Sequence, residues 1–98
     1  MKICLICCAG MSTSAIVKKM QDAATEQNID AEIWAVGEAQ AKENVAIADV
    51  ILIGPQIRFA LSRIQALDPN KPVATIDMAS YGRMDGKKIL ADAIALIK

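Results

Sequence analysis

Hydrophobic and polar positions change period several times along this chain, and the changes mark its elements. Residues 2–7, Lys-Ile-Cys-Leu-Ile-Cys, form a short apolar run that reads as a buried β-strand. Residues 12–27 follow a helical period: Ala15, Ile16, Met20, Ala23 and Ala24 share one face, and Lys18, Lys19, Gln21, Asp22 and Glu26 fall largely off it. Asn28 is a helix stop. Residues 31–36 alternate, with Ala31, Ile33 and Ala35 set against Glu32 and Trp34, the pattern of an edge strand. Gly37 ends it, and residues 38–44 read as a short helix. The unbroken run Asp49-Val50-Ile51-Leu52-Ile53, closed by Gly54-Pro55, predicts a central parallel strand buried on both faces. A helix over residues 57–67, a strand over 72–76, a loop over 77–86 and a last helix over 87–98 complete the order. The last helix carries Ile89, Leu90, Ala93, Ile94 and Ile97 on one face.

Strands alternating with helices predict an α/β fold: a single three-layer domain over residues 1–98, with a four-stranded parallel sheet and helices on both faces. Right-handed crossovers and the order 2-1-3-4 place a topological switch at the first strand, and ligands of such sheets bind outside the carboxyl ends of the strands at that switch. Cys7 is expected there. Composition limits the core to aliphatic packing, since hydrophobic residues are 54% of the 98 residues and aromatics only 3%. Eleven basic and eleven acidic residues cancel, which gives no electrostatic case for binding nucleic acid. No apolar run reaches the length of a membrane span, so no direct insertion is expected. The apolar start reads as the first strand rather than a signal peptide, because removing it would delete that strand. The three cysteines lie within five residues, an odd number with none elsewhere to pair across the fold, which predicts thiols in a reducing cytoplasm. There is no histidine to act as base, metal ligand or phosphocarrier, and three clustered cysteines fall short of a closed zinc site.

The chemistry concentrates in Cys7-Cys8-Ala9-Gly10-Met11-Ser12-Thr13-Ser14. A cysteine at the end of a strand, followed by small residues and a hydroxyl-rich helix start, is suited to holding a phosphoryl group on sulfur. Backbone N–H groups and the helix dipole would face the anion, and the same field favours a thiolate. Ser12, Thr13 and Ser14 can cap the helix or donate to phosphate oxygens, and Gly10 permits close backbone approach. The plainer alternative is that Cys7 is a small buried hydrophobe and Ser12 only a cap. Cys4 reads as core. Cys8 is either a bystander or a resolving thiol for Cys7. Cysteine phosphatases place an arginine six residues after the nucleophile to clamp the equatorial oxygens, and here that position is Thr13. A hydrolase also needs a general acid. Asp68 is expected on the opposite rim, while Asp77 and Asp85 lie on the correct one without an arginine to work with. The loop is therefore equipped to hold a phosphoryl group rather than to hydrolyse it. A small cysteine phosphatase and a non-catalytic phosphate-binding module remain the alternatives.

Three segments together, residues 7–14, Ala-Asp-Val-Ile-Leu-Ile-Gly-Pro-Gln-Ile at 48–57 and Asn-Lys-Pro-Val-Ala-Thr-Ile-Asp at 70–77, resemble the enzyme IIB component of the bacterial sugar phosphotransferase system, lactose/cellobiose/chitobiose class. Tyr81-Gly82 and Asp85-Gly86 continue the likeness. The resemblance implies a fold similar to low-molecular-weight tyrosine phosphatases and a phosphocysteine on Cys7. It also implies a cradle formed by Cys8, Ala9, Gly10, Met11, Ser12, Thr13 and Ser14. It implies neither a metal nor an organic cofactor. A phosphohistidine on a IIA partner would donate, and a sugar held by a membrane IIC partner, cellobiose or a related β-linked disaccharide, would accept. Gln56, Asp77 and Tyr81 are candidates to shape the rim, with ordinary solvated loop polars as the alternative. Arg58, Arg63 and Arg83 are weaker candidates for rim contacts. A carrier that visits two partners is expected to be a monomer, working in the cytoplasm at the inner face of the membrane.

Overall fold

The computed structural model describes residues 1–7 and 11–97, with the side chains of residues 11–13 left aside. Strand β1 (Lys2–Cys7) leads to helix α1 (Met11–Glu26) and strand β2 (Glu32–Gly37). A 3-10 turn (Glu38–Gln40) runs into α2 (Ala41–Ile47), followed by β3 (Val50–Ile53), a 3-10 segment (Pro55–Ala60) and α3 (Leu61–Gln65). The chain ends with β4 (Val73–Thr75), α4 (Met78–Gly82) and α5 (Gly86–Ile97). The four strands form one sheet in the order β2-β1-β3-β4, every neighbouring pair parallel. This is the predicted order, with the alternating β2 at an edge and the continuous runs of β1 and β3 inside.

Strand alternation separates two cores. Ile3, Leu5, Val50 and Leu52 face one side, where Ile16, Met20 and Ala23 of α1 and Ile89, Leu90 and Ala93 of α5 cover them. Cys4, Ile6, Ile51 and Ile53 face the other, under Ala41 and Val45 of α2, Ile57 and Ala60 of the 3-10 segment and Ile64 of α3. Nearly all of these side chains are aliphatic, as the composition requires.

Asn28 ends α1 as the sequence indicated. It adopts a left-handed φ of 56°, Asn28 N donates to Thr25 O and Ile29 N donates to Ala24 O. This is a Schellman closure, with Ile29 packed on the same core as Ala24. Two elements differ from expectation. The helix predicted over 57–67 begins as the 3-10 segment Pro55–Ala60, with Ile57 outside helical geometry, and becomes α-helical only at Leu61. The loop predicted over 77–86 contains α4, a five-residue helix too short for any periodicity to announce. Asp77 starts it and Met84, at φ 51°, ends it, with Asp85 N donating to Ser80 O.

Helices α1 and α5 touch through backbone at Gly86. A Cβ there would lie 2.5 Å from the carbonyl carbon of Lys19 and 2.7 Å from Met20 N, with no flexible side chain to give way. Gly86→Ala is therefore expected to force the two helices apart and destabilise the fold by about 1–3 kcal/mol, the usual cost of overpacking. Urea denaturation would show this as a lower midpoint with an unchanged slope. A midpoint equal to the wild type would mean that α5 can slide along α1 freely.

Candidate functional site

The carboxyl edge of the sheet gathers the ends of all four strands. Cys7 closes β1, and its neighbour across the ladder is Gly37, the last residue of β2. On the other flank Gly54 N donates to Ile6 O at 2.8 Å, which extends the β1–β3 pairing one residue beyond β3. A Cβ on Gly54 would stand 3.4 Å from Cys7 Cβ and 3.0 Å from Gln56 Oε1, and one on Gly37 would stand 4.0 Å from Cys7 O. Both neighbours of Cys7 thus lack a side chain, which leaves room beside a residue only 3% exposed. Alternation assigns Cys7 to the face of Ile3 and Leu5, the face that α1 covers. Residues 8–10 alone separate the end of β1 from the start of α1.

Cys4 lies on the opposite face, fully buried among Ile6, Ile51 and Ile64. Burial without a compensating charge pushes its thiol up to about 12. Cys4 is thus a core residue and no nucleophile, as its place within the strand suggested. Among the remaining loop residues, Ser14 is exposed on the first turns of α1. Cys8, Ala9 and Gly10 lie outside the described residues, as do the side chains of Met11, Ser12 and Thr13. Among the described residues, no group of three or more His, Cys, Asp or Glu side chains converges to hold a metal ion.

The rim aspartates serve the helices that follow them. Asp77 is the N-cap of α4: its Oδ2 accepts from Ser80 N and from Ser80 Oγ, both at 3.0 Å. Those two bonds favour the carboxylate and hold Asp77 below its ordinary value, with smaller help from Lys88 and Arg83. Ser80 is wholly buried, so this pairing also satisfies its hydroxyl. Asp85 caps α5 in the same way, accepting from Lys88 N at 3.2 Å. Neither carboxylate is poised as a general acid. Asp68 stands at the amino edge, in the turn before β4, where its Oδ1 accepts from Asn70 N at 3.2 Å. Arg63 is engaged by an ion pair with Glu38 on the α3 side, so it is not a loose rim cation.

Gln56, Arg58 and Tyr81 come together with Phe59 and Met78, which the sequence alone did not single out. The 3-10 segment after β3 and helix α4 after β4 enclose an open groove of about 640 Å³, lined by Pro55, Gln56, Arg58, Phe59, Met78, Tyr81 and Gly82. Phe59 is 77% exposed and Met78 61%. Gln56 links this groove to Cys7, because its amide oxygen lies against Gly54, which in turn packs on Cys7. The missed signal was compositional: two of the chain's three aromatic residues sit here, in a protein with no aromatic side chain among the buried residues of its core.

Fold and site together define a parallel α/β domain that presents a cysteine at its topological switch point. The family described as the lactose/cellobiose-specific IIB subunit of the PTS system matches residues 2–92. The chain is 48% identical over 98 residues to the oligo-beta-mannoside-specific EIIB component of Bacillus subtilis (strain 168), covering 98% of this chain and 95% of that one. It is 42% identical over 98 residues to the galactose-specific EIIB component of Lactococcus lactis subsp. cremoris (strain MG1363), covering 93% and 91%. The solution structure of the cellobiose-specific IIB component from Borrelia burgdorferi superposes with a TM-score of 0.83 at 39% identity, over 99% of this chain and 91% of that one. The lactose-specific IIB domain from Streptococcus pneumoniae reaches 0.88 at 11% identity, over 100% and 98%, a likeness of fold. The chain belongs to the lactose/cellobiose IIB family of the sugar phosphotransferase system and is a phosphotransferase.

Two outcomes are expected from this geometry. Gly54 has a φ of −60° and a ψ of 142°, so alanine fits its backbone. Gly54→Ala should leave the melting temperature close to wild type while slowing alkylation of Cys7 several-fold, measured in a Cys8→Ser background. An unchanged alkylation rate would show that Gly54 does not control access to the sulfur. Asp77 titrates below the ordinary carboxylate value of 3.8 in the folded chain, so its contribution is present above the unfolded value and lost as pH falls through the folded one. The stability gap between wild type and Asp77→Asn, read by denaturation, should be open at neutral pH and close in strongly acidic solution.

Proposed function

We propose that this chain carries a phosphoryl group on Cys7 between two partners. The sulfur of Cys7 attacks the phosphorus of a phosphohistidine on a IIA protein. The S–P bond forms as the N–P bond breaks, and the imidazole leaves with its electron pair. A sugar hydroxyl held by the membrane IIC protein then attacks the same phosphorus. The O–P bond forms, the S–P bond breaks, the hydroxyl proton is released and Cys7 is restored. Such transfers depend on alignment and charge stabilisation more than on acid–base groups, in keeping with rim aspartates that are committed to helix caps. The cradle for the dianion falls to the backbone amides from Cys8 through Ser14, with the hydroxyls of Ser12 and Thr13, at the N-terminal end of α1.

The observation that carries this reading is the position of Cys7: the last residue of a strand paired on both sides, at the switch point, between two glycines. The relatives' names supply the acceptor class. One is named for oligo-β-mannosides, one for galactose and one for cellobiose, and the first and last of these support cellobiose or a related β-linked disaccharide. Among the described residues no helix is long and apolar enough to cross a membrane. The carrier is assigned to the cytoplasm as a monomer that meets the membrane through IIC.

Intact mass tests this reading. The protein would be incubated with phosphoenolpyruvate, the general phosphotransferase proteins and a IIA of the lactose/cellobiose class. Wild type, Cys4→Ser and Cys8→Ser should each gain one phosphate, and Cys7→Ser none. A phosphate retained on Cys7→Ser would move the nucleophile to another residue. No adduct on the wild type, beside an active IIA control, would overturn the carrier function.

A further inference from the structure

Strand β2 is an edge of the sheet, and a sheet edge presents a row of backbone groups that can pair with another chain. Glu32 N donates to Met1 O at 2.8 Å, so the parallel ladder turns the N–H and C=O groups of Glu32, Trp34 and Val36 toward β1. Those of Ile33, Ala35 and Gly37 point outward. Two exposed glutamines from different elements meet this outward row. Gln21 of α1 donates through Nε2 to Ile33 O at 3.0 Å. Gln40, at the end of the 3-10 turn, accepts through Oε1 from Gly37 N at 3.1 Å. The carbonyl of Gly37, the N-cap residue of that turn, accepts the turn's first bond.

The two glutamines fall on groups that would otherwise be each other's partners. A second copy of the chain adding to this edge antiparallel, about a twofold axis at Ala35, uses the whole outward row. Ala35 then faces Ala35 of the second copy, and Ile33 faces Gly37. In that register each Gly37 N–H donates to the Ile33 carbonyl opposite. Gln40 occupies that donor and Gln21 that acceptor. With Gly37 O also engaged, only the two bonds between the Ala35 residues are left. The neighbouring register, with Ile33 facing Ala35, loses the bonds to Ile33 O in the same way. We infer that Gln21 and Gln40 close the β2 edge and keep this chain from pairing edge to edge with a second copy of itself. The closure bears on the site, because β2 ends at Gly37, the ladder neighbour of Cys7, and a copy added there would stand beside the rim. This role of the glutamines is independent of the carrier function proposed above.

Amide hydrogen exchange and sedimentation equilibrium test the closed edge. In the wild-type monomer the Ile33 and Ala35 amides should exchange fast and those of Trp34 and Val36 slowly. Protection of Ala35 in the monomer would overturn the inference, since the row would then not point outward. The double variant Gln21→Ala/Gln40→Ala frees Ile33 O and Gly37 N. Its association constant should rise about tenfold or more above that of wild type, with the Ala35 amide protected in the dimer. Adding Ala35→Pro removes the central outward N–H without removing a bond to β1, and should return the double variant to a monomer. Cooperative unfolding would be checked for each variant, and protection of Ala35 in the double-variant dimer gives the same answer if the proline variant does not fold. A double variant as monomeric as wild type would overturn the inference. A dimer that survives Ala35→Pro, or that leaves Ala35 unprotected, would overturn it too, because association would then use another surface.

Discussion

Strand β1 is the constraint on which the rest depends. It pairs with β2 on one edge and β3 on the other, so its backbone groups are satisfied only inside a sheet. Its side chains from Ile3 to Ile6 are wholly buried on both faces, so that sheet must be covered on both sides. Parallel pairing then demands crossovers, and opposite crossover directions put the end of β1 at the switch point. The place of Cys7, the final residue of β1, is thus a consequence of how the central strand is satisfied.

Two cysteines three residues apart on this strand have different fates for a geometric reason. Cys4 points into the α2–α3 core, where burial keeps it a neutral thiol. Cys7 lies on the opposite face, at the last position of the strand, beside neighbours that have no side chains. The glycines that flank it also end β2 and follow β3, so one residue type both stops a strand and clears space at the site. The helices that follow β3 and β4 are short and begin close to the rim, which turns their first residues into walls of a groove rather than more core.

The rim carries little catalytic machinery. Its two aspartates cap α4 and α5, and their partners are backbone amides and a buried serine. A phosphohydrolase would need one of them as an acid. A carrier is better served by their commitment elsewhere, since a phosphorylated cysteine must outlast the interval between partners. Membership of the IIB family agrees with a site built to hold and hand on.

Much of this was written in local pattern. Continuous and alternating apolar runs separated the inner strands β1 and β3 from the edge strand β2, because burial on two faces or one imposes those patterns directly. Asn28 announced the end of α1, since few residues tolerate its backbone conformation. The place of Cys7 at the end of β1 was legible because the strand and the helix that follows it are close together in the chain. Helix α4 was not, because one turn of helix held by Asp77 and Ser80 has no period to read. The flanking of Cys7 by Gly37 and Gly54, and the meeting of Phe59 with Met78 and Tyr81, join residues about 20 to 50 positions apart. Strand register and the packing of the 3-10 segment and α4 set those distances, and neither leaves a local pattern, so only the tertiary structure could decide what stands beside Cys7.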